Sequence, residues 1–292
     1  MTEHEISPLV RSAAAYLEDR YGPHIAALLA YGSRVAGQPR AGSACDFWLI
    51  TRDPVAFHRD NSDFYRTGLN IPSTAEEQIA LNKSGPLFYS LRGPSCEIKL
   101  AVVGEAEFVE LCRSDWWTVK GRMQKPIVAI RQSPAVESAV LGARREGLAA
   151  ALNLVPRRFT LEQLLYEIVR LSYRAEIRPE RKRAKVRSIV ESAGERLREI
   201  YLPLLAELPY VVQRDGGYFE DTRSDEERAR ARRATLAALR RSKWSGPSLR
   251  FIWRNFCSHG WPIRYILLKV AGEAAKMCRR AVARLRGSRS AA

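Results

Sequence analysis

Apolar side chains recur along this chain with two different periods, and the change from one to the other divides it. Residues 7–21 space their apolar positions as an amphipathic helix does and run into a Gly22-Pro23 break. Residues 24–31 form an apolar strand and residues 45–51 a second, with a helix expected to start over 33–38 after a turn at Gly32. Asp53-Pro54 reads as an N-cap followed by a first-turn proline, predicting a helix Val55–Asp63 that carries His58 and Asn61. Residues 86–91 and 96–103 are further strands, the second placing Glu97 and Lys99 on one face and Ile98 and Leu100 on the other. Glu105–Cys112 turns helical. This alternation predicts a small mixed sheet flanked by helices and ending near residue 115.

From Asp115 onward the helical period dominates. Residues 136–153, 160–173 and 186–206 are predicted helices, the second announced by the capping box Thr160-Leu-Glu-Gln163. Residues 174–187 are crowded with charge and read as a solvated loop or a binding face. Gly216-Gly217 marks a boundary, and 224–243 is a helix with acids at its start and bases at its end. After Ser245-Gly-Pro247, residues 262–286 gather Ile263, Leu267, Val270, Ala274, Met277, Ala281 and Leu285 into one stripe. The expected division is therefore 1–115, 116–215 and 216–292.

Composition changes this picture in three ways. Hydrophobic residues make up 46% of the 292, enough for a real core and too many for global disorder. The longest apolar runs fall well short of the ~18 residues a membrane span requires. The formal charge of +16 calls for a polyanionic partner, either nucleic acid or an anionic lipid surface, and charge alone does not separate them. The five cysteines show no paired or metal-thiolate spacing and read as reduced thiols of a cytosolic protein. The N-terminus, Met-Thr-Glu-His-Glu-Ile, has neither a secretory nor an Arg-rich transit pattern.

The candidate chemistry sits in residues 28–61. An apolar strand ends on Tyr31-Gly32-Ser33, where a glycine permits close backbone approach and N–H groups face phosphate oxygens. After twelve intervening residues, 34–45, a second strand opens on Asp46, a hard oxygen ligand for Mg2+. That spacing fits the general signature of polymerase-β-like nucleotidyltransferases. The second acid that the broad pattern carries two residues on is Trp48 here. Glu97, on a neighbouring strand, is a candidate to complete the metal site. Asp53 is too far along the strand, on the order of 20 Å from Asp46, and reads as a helix cap.

Tyr31-Gly-Ser33, Asp46-Phe47, Asp53-Pro-Val-Ala-Phe-His58 with Asn61, Gly121-Arg-Met-Gln-Lys-Pro126, Leu171-Ser-Tyr173 and Lys185-Val186 occur in this order. Together they resemble the mitochondrial phosphatidate cytidylyltransferases, peripheral CDP-diacylglycerol synthases of the translocator assembly and maintenance family, over roughly residues 25–210. The missing transit pattern points to a bacterial relative. The resemblance implies a polymerase-β-like nucleotidyltransferase domain with a mixed sheet, then a helical winged-helix-like domain and a membrane-associating C-terminal segment, an α/β (α+β) chain overall. It implies the reaction of CTP with phosphatidic acid, giving CDP-diacylglycerol and pyrophosphate with Mg2+, at the inner face of the cell membrane. No nucleic-acid partner is expected, and a homodimer is left open.

Resemblance and physics agree on Gly32 and Ser33 at the β- and γ-phosphates and on Asp46 at the metal. Glu97 has no support from the family pattern. Lys99 matches a family lysine and either contacts phosphate or pairs with Glu97. Arg122 and Lys125 suit triphosphate or lipid phosphate. His58, Asn61, Arg178 and Lys185 are lipid-phosphate candidates, His58 having a packed histidine as its alternative. Tyr173 either fills the core or stacks on cytosine. The 262–286 stripe docks on the membrane or on the protein, and Trp244, Phe251, Trp253, Phe256 and Trp261 with Arg250, Arg254 and Arg264 suit a membrane interface. The competing readings are a nucleotidyltransferase acting on RNA, an antibiotic or a protein, and a non-catalytic nucleotide-binding module.

Overall fold

A computed structural model describes residues 6–37, 39, 42–61, 74–82, 85–175 and 182–244. Arg178, the 262–286 stripe and the aromatic-basic cluster beyond residue 244 lie outside these residues.

Helix α1 (Pro8–Tyr21) opens under Ser7, whose hydroxyl accepts from the Val10 amide at 3.4 Å. Strands β1 (Ile25–Tyr31) and β2 (Cys45–Thr51) come next, then α2 (Pro54–Asp60), α3 (Ala75–Asn82), β3 (Leu87–Arg92), β4 (Glu97–Gly104), α4 (Glu105–Arg113), α5 (Trp117–Met123), β5 (Val128–Arg131) and α6 (Pro134–Leu152). Asp53 is a cap: its Oδ1 accepts from the amides of Val55 (2.8 Å) and Ala56 (3.2 Å). The five strands form one mixed sheet in the order β3-β4-β2-β1-β5, with β2 and β4 parallel and the other pairs antiparallel.

Both sheet faces are covered. Leu28, Phe47, Leu49, Leu100 and Val102 pack with α1 and with Phe57 of α2. Leu29, Trp48, Ile50, Ala101 and Val103 pack with Phe108 of α4, Val119 of α5 and Val136 and Ala143 of α6. A sheet buried on both sides needs continuous apolar strands, which is why β1 and β2 show no polar alternation in their middles.

The second core is built by β6 (Arg158–Thr160), α7 (Leu161–Ala175), α8 (Lys182–Ala206), β7 (Val211–Arg214), β8 (Tyr218–Asp221) and α9 (Asp225–Trp244), with a three-stranded sheet in the order β6-β8-β7. The capping box before α7 forms: the Thr160 amide donates to Gln163 Oε1 (2.9 Å) and the Gln163 amide to Thr160 Oγ1 (3.2 Å). Helix α6 serves both cores, giving Val136 and Ala143 to the first and Leu148, Ala151 and Leu152 to the second.

Three expectations meet a different geometry. Of residues 33–38, expected to start a helix, the described 33–37 make a single turn, the Ala36 amide bonding Gly32 O at 2.9 Å, with Gly37 at φ 73° at its end. Strand β5 lies beyond the boundary expected at 115 yet pairs with β1, so the first sheet is completed from the next stretch of chain. Gly216 and Gly217, at φ 74° and 75°, form the turn between β7 and β8, and α9 beyond them packs Leu239 into the second core.

Candidate active site

Sheet register assembles the site. Tyr31 pairs with Asp46, Asp46 with Lys99, and Lys99 with Ser90, so four strands present one transverse row on one face. The next row inward is Leu29, Trp48, Ala101 and Phe88. Trp48, fully buried, meets Phe108 edge-on at 5.6 Å and Tyr31 at 6.1 Å. The position where the broad pattern carries a second acid is therefore the apolar floor beneath Asp46.

Gly32 turns the chain at φ +87° immediately after Tyr31, and a Cβ there would stand 2.2 Å from Asp46 Oδ2. Only glycine lets the carboxylate lie against this turn. Lys99 is exposed beside Asp46. Glu97 is exposed on the same face two residues along β4, roughly 8 Å from Asp46 between Cα atoms by strand geometry. Among the described residues no group of three or more His, Cys, Asp or Glu side chains gathers into a metal cluster. One carboxylate lying against a glycine turn nevertheless fits Mg2+, which takes few protein ligands and completes its shell with water and substrate oxygens.

The segment Gly121–Pro126 joins elements. A Cβ on Gly121 would stand 2.6 Å from Ser172 Cα, so α5 lies directly against α7. Gln124 is fully buried: its Nε2 donates to Lys120 O (2.9 Å) and Ala143 O (2.8 Å), and its Oε1 accepts from the Tyr201 hydroxyl (2.9 Å). Between these anchors, Arg122 is 9% exposed with its guanidinium 5.3 Å from the Phe88 ring centroid, above the row next to Asp46. Lys125 Nζ lies 4.4 Å from the ring of Tyr173, which is buried in the second core. The core alternative for Tyr173 is the one observed.

His58 takes its packed alternative, and Asn61 stands beside it at the end of α2. Both lie past the far end of β2 from Asp46. His58 is completely buried, its Nε2 3.0 Å from Asn82 Oδ1, while Asn82 Nδ2 donates to Gly85 O and Val102 O, both at 3.1 Å. Burial pushes the imidazole below its ordinary value, outweighing the upward pull of the Asn82 bond. A neutral, enclosed histidine is a structural tie and not a phosphate contact. Asn61 Nδ2 donates to Phe57 O at 2.7 Å and closes α2. Lys185 is partly exposed on α8, seven residues and about two turns before Ser192 and hence on the same helix side.

Sequence reasoning missed the supports of the turn. Ser192 Oγ donates to Ala36 O at 2.8 Å, Arg196 Nη1 donates to Val35 O, and Arg34 donates through Nε and Nη2 to Ser43 O at 2.8 and 2.5 Å. Ser192 and Arg196 stand four apart on α8 and so share a face. That spacing was the available signal, but it named no partner. Cys45 and Cys96 also come together, Sγ to Sγ 3.3 Å, with burial raising the Cys45 thiol to about 12.

Residues 16–241 match the family described as mitochondrial phosphatidate cytidylyltransferase. The chain belongs to this family. Proteins named mitochondrial phosphatidate cytidylyltransferase are similar to it in Caenorhabditis elegans (30% identical over 189 residues, 60% of this chain and 59% of the worm protein) and zebrafish, Danio rerio (25% over 225 residues, 70% and 67%). A third is human (28% over 213 residues, 67% and 47%). The chain thus spans about three fifths of the worm protein it matches. The phosphatidate cytidylyltransferase match includes the Tyr31–Asp46–Lys99 row, the Gly121–Pro126 segment and the α8 supports, and ends just before Ser242.

Proposed function

We propose that this chain transfers the cytidylyl group of CTP to phosphatidic acid, releasing pyrophosphate and forming CDP-diacylglycerol, with Mg2+ as cofactor, at the surface of an anionic membrane. A phosphate oxygen of phosphatidic acid forms a bond to the α-phosphorus of CTP as the bond from that phosphorus to the α,β-bridging oxygen breaks, that oxygen leaving as a terminal oxygen of pyrophosphate. The observation that carries this reading is the Asp46 carboxylate lying against the Gly32 turn, where a Cβ would be 2.2 Å from Oδ2, within a family-matched stretch.

In this reading Gly32 and Ser33 present backbone N–H groups to the β- and γ-phosphates, and Tyr31 borders them. Asp46 holds Mg2+, which when bound offsets the negative charge developing between triphosphate and lipid phosphate. Glu97 is the further candidate ligand. Lys99 neutralises phosphate charge beside Asp46. Arg122, little exposed to solvent, acts where its field is weakly screened. Lys125 and Lys185 are assigned to the lipid phosphate in this reading, and Arg178 is kept as a candidate from the sequence alone. No helix of the described residues is long and apolar enough to cross a membrane. Our reading has the basic chain attached peripherally, on the inner face of the membrane that holds its lipid substrate, and what supports it is the net charge of +16.

Purified protein with phosphatidate-containing vesicles, Mg2+ and each labelled nucleoside triphosphate in turn should yield labelled liponucleotide from CTP alone. Asp46→Asn should lower turnover by about a hundredfold or more, with an unchanged melting temperature. Label transferred to RNA instead, or full activity in Asp46→Asn, would overturn the reading.

A further inference from the structure

The turn between β1 and β2 is gripped from outside by one helix. Val35 O and Ala36 O are consecutive carbonyls, and both are taken by side chains of α8: Arg196 Nη1 on the first and Ser192 Oγ, at 2.8 Å, on the second. Ser192 O also stands 3.4 Å from where a Cβ on Gly37 would be, so the turn lies close against the helix backbone.

Capturing a carbonyl fixes more than one atom. In a planar trans peptide the C=O of one residue and the N–H of the next point in opposite directions. Arg196 on Val35 O thereby aims the Ala36 N–H back into the turn, where it meets Gly32 O at 2.9 Å. That bond orients the Gly32 carbonyl inward and therefore the Ser33 N–H outward, away from α8. Two peptide planes thus connect a guanidinium on α8 to the first amide after Gly32.

We infer that Arg196 and Ser192 are positioning residues for the nucleotide: through the Val35 and Ala36 carbonyls they hold the Ser33 amide in the direction that receives a triphosphate oxygen. This rests on the functional reading above for the identity of the nucleotide, but not for the existence of the support. Both residues are contributed by α8 of the second core, so the two cores share one site. Neither side chain needs to touch substrate.

The test compares Arg196→Ala, Arg196→Lys and Ser192→Ala in the full chain. KM for CTP, CTP affinity by calorimetry, KM for phosphatidic acid and melting temperature are each measured. Arg196→Ala should raise KM and Kd for CTP about tenfold or more and Ser192→Ala several-fold, the scale of a lost hydrogen bond to a buried carbonyl. Arg196→Lys should recover part of the loss, and KM for phosphatidic acid should stay within about twofold of wild type. CTP constants within about twofold of wild type in all variants overturn the inference, as does a fall in kcat with both KM values unchanged, the mark of a reduced folded fraction. If Arg196→Ala does not fold, Ser192→Ala and Arg196→Lys decide by the same criteria. A wild-type chain that binds CTP without making liponucleotide defeats the functional reading, and the affinity comparison still decides the positioning one. A wild-type chain that binds no nucleoside triphosphate defeats both.

Discussion

His58 sits at 0% exposure with one ring nitrogen committed. Asn82 uses its amide hydrogens on Gly85 O and Val102 O, so its Oδ1 is an acceptor and His58 Nε2 carries the proton. Nδ1 finds no hydrogen-bond partner among the described residues, and a second proton there would be buried unpaired. The folded value therefore lies below the ordinary 6.5. As pH falls through that ordinary value the unfolded chain binds a proton that the folded chain refuses, so the folded state loses stability. Above about pH 7 the histidine is neutral in both states and contributes no slope. The expected outcome is a lower urea midpoint at about pH 5.5 than at about pH 7.5, with a smaller difference in His58→Gln, which keeps a donor toward Asn82. Equal differences in the two proteins would show that His58 takes up its proton freely in the fold. From sequence, His58 was one polar position on a short helix, and nothing local distinguished a buried tie to Asn82, 24 residues on, from a surface contact. The approach of Asp46 to the Gly32 turn was easier to anticipate, because the two are close in the chain.

Helices and long strands were legible where their signals are local: Asp53 caps α2 and Ser224 caps α9, and the apolar runs of β1 and β2 announce a sheet buried on both sides. The short pieces were not. Strands β5, β6, β7 and β8 have four residues or fewer, too few to establish a period, and only pairing makes them strands. The Tyr31–Asp46–Lys99 row was equally hidden, since register between β2 and β4 is set in three dimensions and Lys99 lies far along the chain from Asp46. Glycine spacing inside helices likewise does not say which glycine is needed, and two positions should answer with opposite signs. A Cβ at Gly121 would be 2.6 Å from the Ser172 backbone, whereas at Gly142 nothing lies within 4 Å. Gly121→Ala should force α5 off α7 and destabilise by about 1–3 kcal/mol, displacing Arg122 and lowering turnover as well. Gly142→Ala, inside α6, should stabilise by roughly 0.5–1 kcal/mol and leave turnover unchanged. Paired urea denaturation curves check both; shifts of the same sign would contradict this account of how α5 is seated.

Across the whole molecule the positive charge is uneven. Residues 245–292 hold ten Lys and Arg side chains against a single acid, Glu273, within a chain of net +16. This stretch also lies beyond the family match, which stops at residue 241. The Tyr31–Asp46–Lys99 row and its α8 supports all lie within that match, so the proposed membrane contact can be tested apart from the proposed chemistry. Each basic side chain near an anionic surface contributes about 1 kcal/mol, an attraction that reaches about 10 Å at 0.1 M salt but only about 3 Å at 1 M. The full chain should float with vesicles containing phosphatidic acid at about 0.1 M salt and largely release at about 1 M. A chain ending at Trp244 should float poorly at either concentration while still converting detergent-dispersed phosphatidic acid at close to the full-length rate. Salt-resistant flotation of the full chain would transfer the anchoring role from charge to the apolar stripe of Ile263, Leu267 and Val270. Undiminished flotation of the shortened chain would instead move the membrane-facing surface onto residues 1–244, where Lys185 and the exposed arginines of α8 and α9 are among the positive charges that remain.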